Sequence, residues 1–508
     1  MTRLRLAAFL LLPLATAAQG PLATADTSMS RLSAASSPEG APEADLIVRA
    51  LERTDVFPGV EEVYASRDHA PIWTAPGDAR LLLARFEDAR FDGLTAADLD
   101  LERLRALGAS GDAADRALRD VLLTDAVLRL ADVLLGRRVD PEQIHEGHWF
   151  LTREAQRRRA TPAATRFREP LASDEPARAV LAALDALQPR HAEYHALRQR
   201  LREALAVDLS VVQPASARLP DSAAVYPEVP LQRPDAAKIA LLRLNLERWR
   251  WLPDDFGDAH VLVNVPATTL WLRETSGDGG APEAVLTMDA TIGQPAPAWQ
   301  TPVLSDPIRT VSFFPTWTPT ITIQRREIIP EARLDGGQSL YERGFTVSRG
   351  GRTMDPRDVD WERARAGQYR ITQRGGPLGE LGRVKFVMPN PHWILIHDTN
   401  TPEEFDADER ALSHGCVRAA DPGALADAIL TRTNGWADGR ASGLIEGAPR
   451  TQGVRLRERF PVHIVYFTAW PGEDGTLETF EDVYGRDAEL AAALGLELPA
   501  RGEIASAP

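Results

Sequence analysis

The stretch Ile396–Arg418, IHDTNTPEEFDADERALSHGCVR, carries His397 near its start and, 19 positions later, Cys416, the only cysteine among 508 residues. The four residues before its histidine, Trp393–Ile396, are apolar and read as a buried strand. His397 and Asp398 then fall at the strand exit, where an imidazole is held rigidly at a cleft. Cys416 lies within Ser413-His414-Gly415-Cys416-Val417-Arg418, and Asp421-Pro422 beyond it has the N-cap and N1 signature of a helix start. A thiol becomes a nucleophile by passing its proton to a nearby imidazole, and the imidazolium then protonates a leaving amine. His397 is the candidate base. Gly415 lets the backbone turn tightly, so that N–H groups reach a substrate carbonyl as an oxyanion hole requires. Ser413 and Asp398 are candidates to orient the imidazole.

A lone thiol gains weight from the N-terminus. Residues 1–20, MTRLRLAAFLLLPLATAAQG, combine Arg3 and Arg5 with an apolar run Leu6–Leu14 and small residues at Ala15 and Ala17. This is the pattern of a cleaved secretory signal, here 1–18, and the run is shorter than the ~20 residues of a membrane span. No span is expected in the mature chain. Exported proteins usually pair their thiols, which Cys416 cannot do within this chain. The net charge of −15 gives no footprint for nucleic acid or anionic lipid.

Working outward, residues 19–44 are Ala-, Ser-, Pro- and Gly-rich and read as a flexible tether. Residues 45–208 place apolar residues three and four apart, as in ARLLLARFEDA and LRDVLLTDAVLRLADVLLG, and are expected to be helical. Residues 209–234 form a Pro/Ser/Ala-rich linker, 26 residues long and too short for a module. A connecting helix occupies 235–258. The periodicity then switches to two, in HVLVNV, TTLWLRE, AVLTMDATIG, RVKFVMPN and PVHIVYF, so 259–470 is β-rich. Residues 471–508 follow as a C-terminal extension. The architecture is therefore α+β and multidomain.

A long polar stretch, 315–372, interrupts the strands and reads as a lid over the cleft, hinged at its ends and dispensable for folding. The acidic run Glu403–Glu409 reads as a solvated loop. His392 and His463 are placed inside strands, in structural roles. Zinc held by His392, His397, His414 and Cys416 is the competing chemistry. The spacing matches no common structural zinc arrangement and only one soft ligand is present, so no metal is expected.

The block IHDTNTPEEFDADERALSHGCVR resembles the His…Ser-His-Gly-Cys signature of the YkuD-type L,D-transpeptidases, cysteine enzymes of bacterial peptidoglycan. IALLRLNLERWRWLP, FFPTWTPT, LGRVKFVMPNP and VYFTAWPGEDGTLETFEDVYGRD are similar to further blocks of the large Gram-negative members. GLTAADLD and LLTDAVLRLADVLLGRRVDP resemble their helical scaffold domain. The resemblance implies a periplasmic enzyme with Cys416 as nucleophile and His397 as base. His414, Gly415 and the Cys416 backbone would shape the oxyanion region, with Arg418 as a site-lining cation and 315–372 as a capping insertion. It implies no cofactor, stem-peptide substrates (a tetrapeptide donor and a diamino-acid acceptor), 3→3 cross-links, and covalent inhibition by a carbapenem. L,D-carboxypeptidase action, lipoprotein anchoring, a papain-like cysteine amidase and a decayed wall-binding protein are the alternatives. In papain-like enzymes the cysteine precedes the histidine, the reverse of the order here. Two departures stand out: the linker holds no peptidoglycan-binding module, and Gly379 replaces an Asn of the family block before LGRVKF.

Overall fold

The computed structural model describes residues 42–108, 110–209, 235–275, 282–376, 378–472 and 474–498. The signal segment, nearly all of the tether, and 210–234 lie outside the described residues. From Glu43 to Leu209 the chain is helical, built around the 22-residue helix Ala113–Leu134, whose N-cap Asp112 accepts from Ala114 and Asp115 N–H. This helix is buried on nearly every side, and its inward polar residues are all matched. Asp120 accepts from Tyr64 Oη (2.6 Å) and from the Ile72 and Trp73 N–H groups, and Thr124 accepts from Trp73 Nε1 (3.0 Å).

The helix Ala236–Trp249 joins the two halves and is buried over most of its surface. Its buried charges reach both ways. Arg250, just past its end, pairs with Glu247 (2.7 Å) and donates to the Asp92 carbonyl of the helical region. Arg248 pairs with Asp487 (2.6 Å) near the C-terminus.

The β-rich half contains strands β1 (Ala259–Asn264), β2 (Thr269–Glu274), β3 (Glu283–Gly293), β4 (Leu304–Ser305) and β5 (Ile308–Phe313). Next come β6 (Phe345–Arg349), β7 (Arg352–Met354), β8 (Arg370–Gln373), β9 (Val384–Val387), β10 (Ile396–His397), β11 (Ala411–Ser413) and β12 (Val417–Ala419). β13 (Gln452–Phe460), β14 (Val462–Val465), β15 (Ala469–Pro471) and β16 (Leu477–Thr479) close the series. The main sheet runs β13-β5-β9-β10-β12-β3-β2-β1-β14-β4, with β11 also on β3. Its pairs are antiparallel except β1 with β14, β10 with β12, and β11 with β3. One core lies between this sheet and the helix Pro422–Asn434. A second packs Leu262, Val465 and Phe467 against Trp249 and the helix Ala192–Leu209. Residues beyond 470 are part of the packed body: Leu490, Ala491 and Leu494 of the helix Arg486–Leu494 enter the first core.

The 315–372 insertion differs from its sequence reading. It is a small folded unit with the sheet β7-β6-β8 and its own core, in which Ile329, Leu340, Phe345, Val347, Trp361 and Ile371 pack with Trp299 from outside it. Gly350 and Gly351, both at positive φ, form the two-residue turn of the β6–β7 hairpin, as a type I′ connection requires. They are the tip of this hairpin. Because Leu340, Phe345 and Val347 belong to this core, excising 333–358 would unfold the insertion.

Candidate active site

Strand register builds the site. Val311, Phe386, Ile396 and Val417 are Cα partners across β5, β9, β10 and β12, and all four are fully buried on the core face. Because strand side chains alternate, the next row points the other way. That row is Ser312, Lys385, His397, Arg418 and Thr291. Cys416 precedes Val417, so it faces the same side as His397, one diagonal step across the parallel pair. The Val417 N–H to Leu395 carbonyl bond (2.9 Å) fixes this offset.

The His397 ring is buried, and Nδ1 lies 2.5 Å from the backbone carbonyl of Asp398. A carbonyl only accepts, so Nδ1 carries the proton of the neutral ring and Nε2 keeps its lone pair. Burial, reinforced by the Arg418 and Lys385 cations, pushes the imidazole down to about 3, so the base is neutral at neutral pH. The half-buried Cys416 thiol is pushed up by burial, against an opposing Leu395 N–H hydrogen bond and the same two cations. The resting pair is thus thiol and imidazole, not thiolate and imidazolium.

Neither residue expected to orient the imidazole does so through its side chain. The Asp398 carboxylate accepts from Arg383 and Thr399 N–H groups, and only its backbone carbonyl touches the ring. Ser413 Oγ instead ties the turn together, donating to the Cys416 carbonyl (2.5 Å) and accepting from Gly415 N–H (3.1 Å). Gly415 sits at φ +105°, where glycine is strongly favoured. Its carbonyl accepts from Thr301 Oγ1 (2.9 Å), which also accepts from Gly293 N–H (2.8 Å). With Gly415 N–H occupied, the Cys416 N–H has no partner among the described residues and is the donor left for an oxyanion.

The apolar run before His397 also departs from its sequence reading. Only Ile396–His397 is strand, while Trp393 stands 77% exposed at φ +62°, its carbonyl 3.8 Å from Cys416 Sγ. Asn390 breaks the run by accepting from His392 and Ile394 N–H and donating to the Met388 and Ile394 carbonyls. His392 is therefore in a loop, stacked on Phe150 at 3.5 Å. His463 lies in β14, as expected.

His414 faces the insertion: Nε2 is 2.7 Å from Glu327, and its ring packs edge-on against Trp299. Glu327 lies in the π-helical turn Gln324–Ile328, a geometry common at functional sites. Arg418 is matched by Glu404 (2.5 Å), so the acidic run is not merely solvated. Among the described residues, no group of three or more His, Cys, Asp and Glu side chains converges to hold a metal ion, and no helix is long and apolar enough to cross a membrane.

Residues 58–201 match the Scaffold domain family, and residues 258–447 match the YkuD family, described as the L,D-transpeptidase catalytic domain. A Haemophilus influenzae protein described as a candidate L,D-transpeptidase is 27% identical over 438 residues, covering 86% of this chain and 79% of its own length. The chain carries an L,D-transpeptidase catalytic domain.

Both Cys416 and His397 fall inside that L,D-transpeptidase domain. Sequence reasoning missed Lys385, Glu327, Glu404 and Tyr484. Tyr484 Oη donates to the Gly293 carbonyl (2.6 Å) and accepts from Thr301 N–H (3.1 Å), bracing the wall behind Gly415. The alternation of RVKFV puts Lys385 opposite Phe386, and that was the one available signal. It did not reveal which strand would lie alongside.

Proposed function

We propose that this protein is a peptidoglycan L,D-transpeptidase acting through an acyl-enzyme on Cys416. The observation that carries the reading is the placement of a neutral, Nδ1-anchored His397 on the same sheet face as the sole thiol. Cys416 Sγ attacks the carbonyl carbon of the third stem residue, a diamino acid, in a donor tetrapeptide, while its proton passes to His397 Nε2. The C–N bond to the terminal D-Ala breaks and that amine leaves with the proton. A thioester remains. The side-chain amine of a second stem then attacks it and gives a proton to His397, the C–S bond breaks to leave a 3→3 cross-link, and His397 returns the proton to the departing Cys416 sulfur.

Lys385 and Arg418 favour the transient thiolate and hold the imidazole neutral between proton transfers. Cys416 N–H is placed to receive the oxyanion. Water as acceptor gives L,D-carboxypeptidase action, and a lipoprotein lysine gives anchoring. The signal-like N-terminus supports a periplasmic site of action. A carbapenem is expected to acylate the same sulfur.

The test is intact-protein mass spectrometry and product analysis with disaccharide-tetrapeptide. The wild type should release D-Ala and form dimers, and Cys416→Ala should do neither while keeping its fold. Turnover by Cys416→Ala, or an inert wild type that no carbapenem labels, overturns the reading.

A further inference from the structure

A groove of about 870 Å³ lies where the helix Ala192–Leu209 meets β2, β3 and the β15–β16 hairpin. Its wall is aromatic. Trp271 on β2 and Trp470 on β15 stack nearly parallel, with centroids 5.5 Å apart and planes at 10°, and Trp271 stays partly exposed. Its rim is acidic and rich in acceptors, with Glu283, Asp474 and Glu478 all exposed. Arg273, the cation of the groove, is matched by Glu193.

One end of the groove converges. At Gly472 an added Cβ would fall 2.8 Å from Thr476 Oγ1 and 3.1 Å from both Asp474 Oδ1 and Glu478 Oε1. Thr476 N–H and Oγ1 both donate to Asp474 Oδ1 to close this turn, so only glycine fits there and Glu478 Oε1 is the acceptor left beside it.

An indole flanked by carboxylates and hydroxyls matches a polyhydroxylated ring, whose C–H faces pack on the aromatic surface while its hydroxyls donate to the acceptors. The acidic rim, offset only in part by Arg200 beside Asp474, disfavours an anionic peptide.

The groove also has a defined relation to the nucleophile. Trp271 is the cross-strand partner of the exposed Thr287 on β3, and that strand continues through Asp289 and the buried Thr291 to Gly293, beside Gly415. Six residues of strand cover about 20 Å. Three extended stem residues cover about 11 Å, and the lactyl group and sugar ring supply most of the remainder.

We infer that this groove binds the N-acetylated glycan strand of the substrate and so anchors the donor stem whose third carbonyl reaches Cys416. The inference rests on the stem-peptide reading above.

Two measurements separate the claims. Binding of chitotetraose and of peptide-free glycan strands is followed by isothermal calorimetry on the full chain, using Cys416→Ala alongside the wild type. Turnover is compared on disaccharide-tetrapeptide and on free tetrapeptide. Saturable glycan binding is expected in both proteins. Trp271→Ala and Glu478→Gln should weaken it about tenfold. They should also remove the preference for the glycan-linked donor while leaving free-tetrapeptide turnover within about twofold. Trp271→Phe should restore most of the binding, which separates loss of the platform from loss of fold.

Absence of glycan binding in the wild type overturns the inference, as does equal loss on both donors or tighter binding of a cationic peptide than of the glycan. Glycan binding by a protein inert on both donors would overturn the transpeptidase reading and leave the groove assignment standing.

Discussion

His397 and His463 occupy equivalent settings in one sheet. Each lies in a parallel strand pair, β10 with β12 and β1 with β14, and burial pushes each down to about 3. They differ in what is left over. His463 Nε2 donates to the Phe256 carbonyl (3.2 Å) and Nδ1 accepts from Ser305 Oγ (2.9 Å), so both nitrogens are occupied. His397 has only Nδ1 engaged, and a thiol stands across the strand pair. A perturbed imidazole is thus not a site by itself; a free nitrogen on the sheet face that carries the thiol is what singles out His397 as the candidate.

The strongest way to break this comparison is substitution. His397→Gln should cost about 10²–10⁴ in acyl transfer with little change in melting temperature. His463→Gln should cost about 1–3 kcal/mol of stability from broken buried hydrogen bonds, with the rate per folded molecule unchanged. Product assays beside calorimetric melting would check both. A His463 variant that is stable but slow would erase the distinction.

A pH series sharpens what the two histidines share. Both stay neutral when folded yet bind a proton below about 6.5 when unfolded, so the unfolded state takes up more protons in acid. Their contribution to stability is complete above pH 6.5 and is lost as pH falls toward 3. Melting temperature should decline over that window, and His463→Gln should flatten the slope. An unchanged slope would mean that the ring is not held neutral.

A smaller effect is expected at Lys385, which has no counterpart beside His463. Lys385→Met removes a cation that favours the thiolate, so the Cys416 thiol should ionise at still higher pH. Iodoacetamide labelling at pH 7.5 should slow a few-fold. Faster labelling would contradict the electrostatics. The smallest effect should come from Glu327→Gln, which weakens the contact of the insertion with His414 without touching the reacting atoms. A modest rise in KM with kcat retained is expected, and a collapse of kcat would make the contact part of the chemistry.

The helical half was readable because 3.6-residue periodicity is a local signal, and Cys416 and His397 stood out as candidates because a lone thiol beside Gly415 is chemically unusual. Trp393 was misread because four consecutive apolar residues look like a strand. The side chain of Asn390, three positions earlier, decides otherwise. Lys385, Glu404 and Glu327 were invisible because topology chooses their partners across gaps of 12, 14 and 87 residues. The core of the insertion was hidden for a related reason. Phe345, Trp361 and Ile371 are spread among charged residues and meet only when β6 and β8 pair.

The carboxyl-terminal helix has a consequence for the order of assembly. Glu489 meets His145 at 2.7 Å, a contact spanning 344 residues, and Arg248 and Asp487 close the same seam. Synthesis runs from the amino end, so the helical half emerges with this flank bare and must wait for residues 487–489, more than 340 positions after His145, before it is sealed. Contacts of such sequence separation form late and slowly. A chain interrupted at residue 470 would therefore keep every reacting group and still leave a long-lived, sticky intermediate.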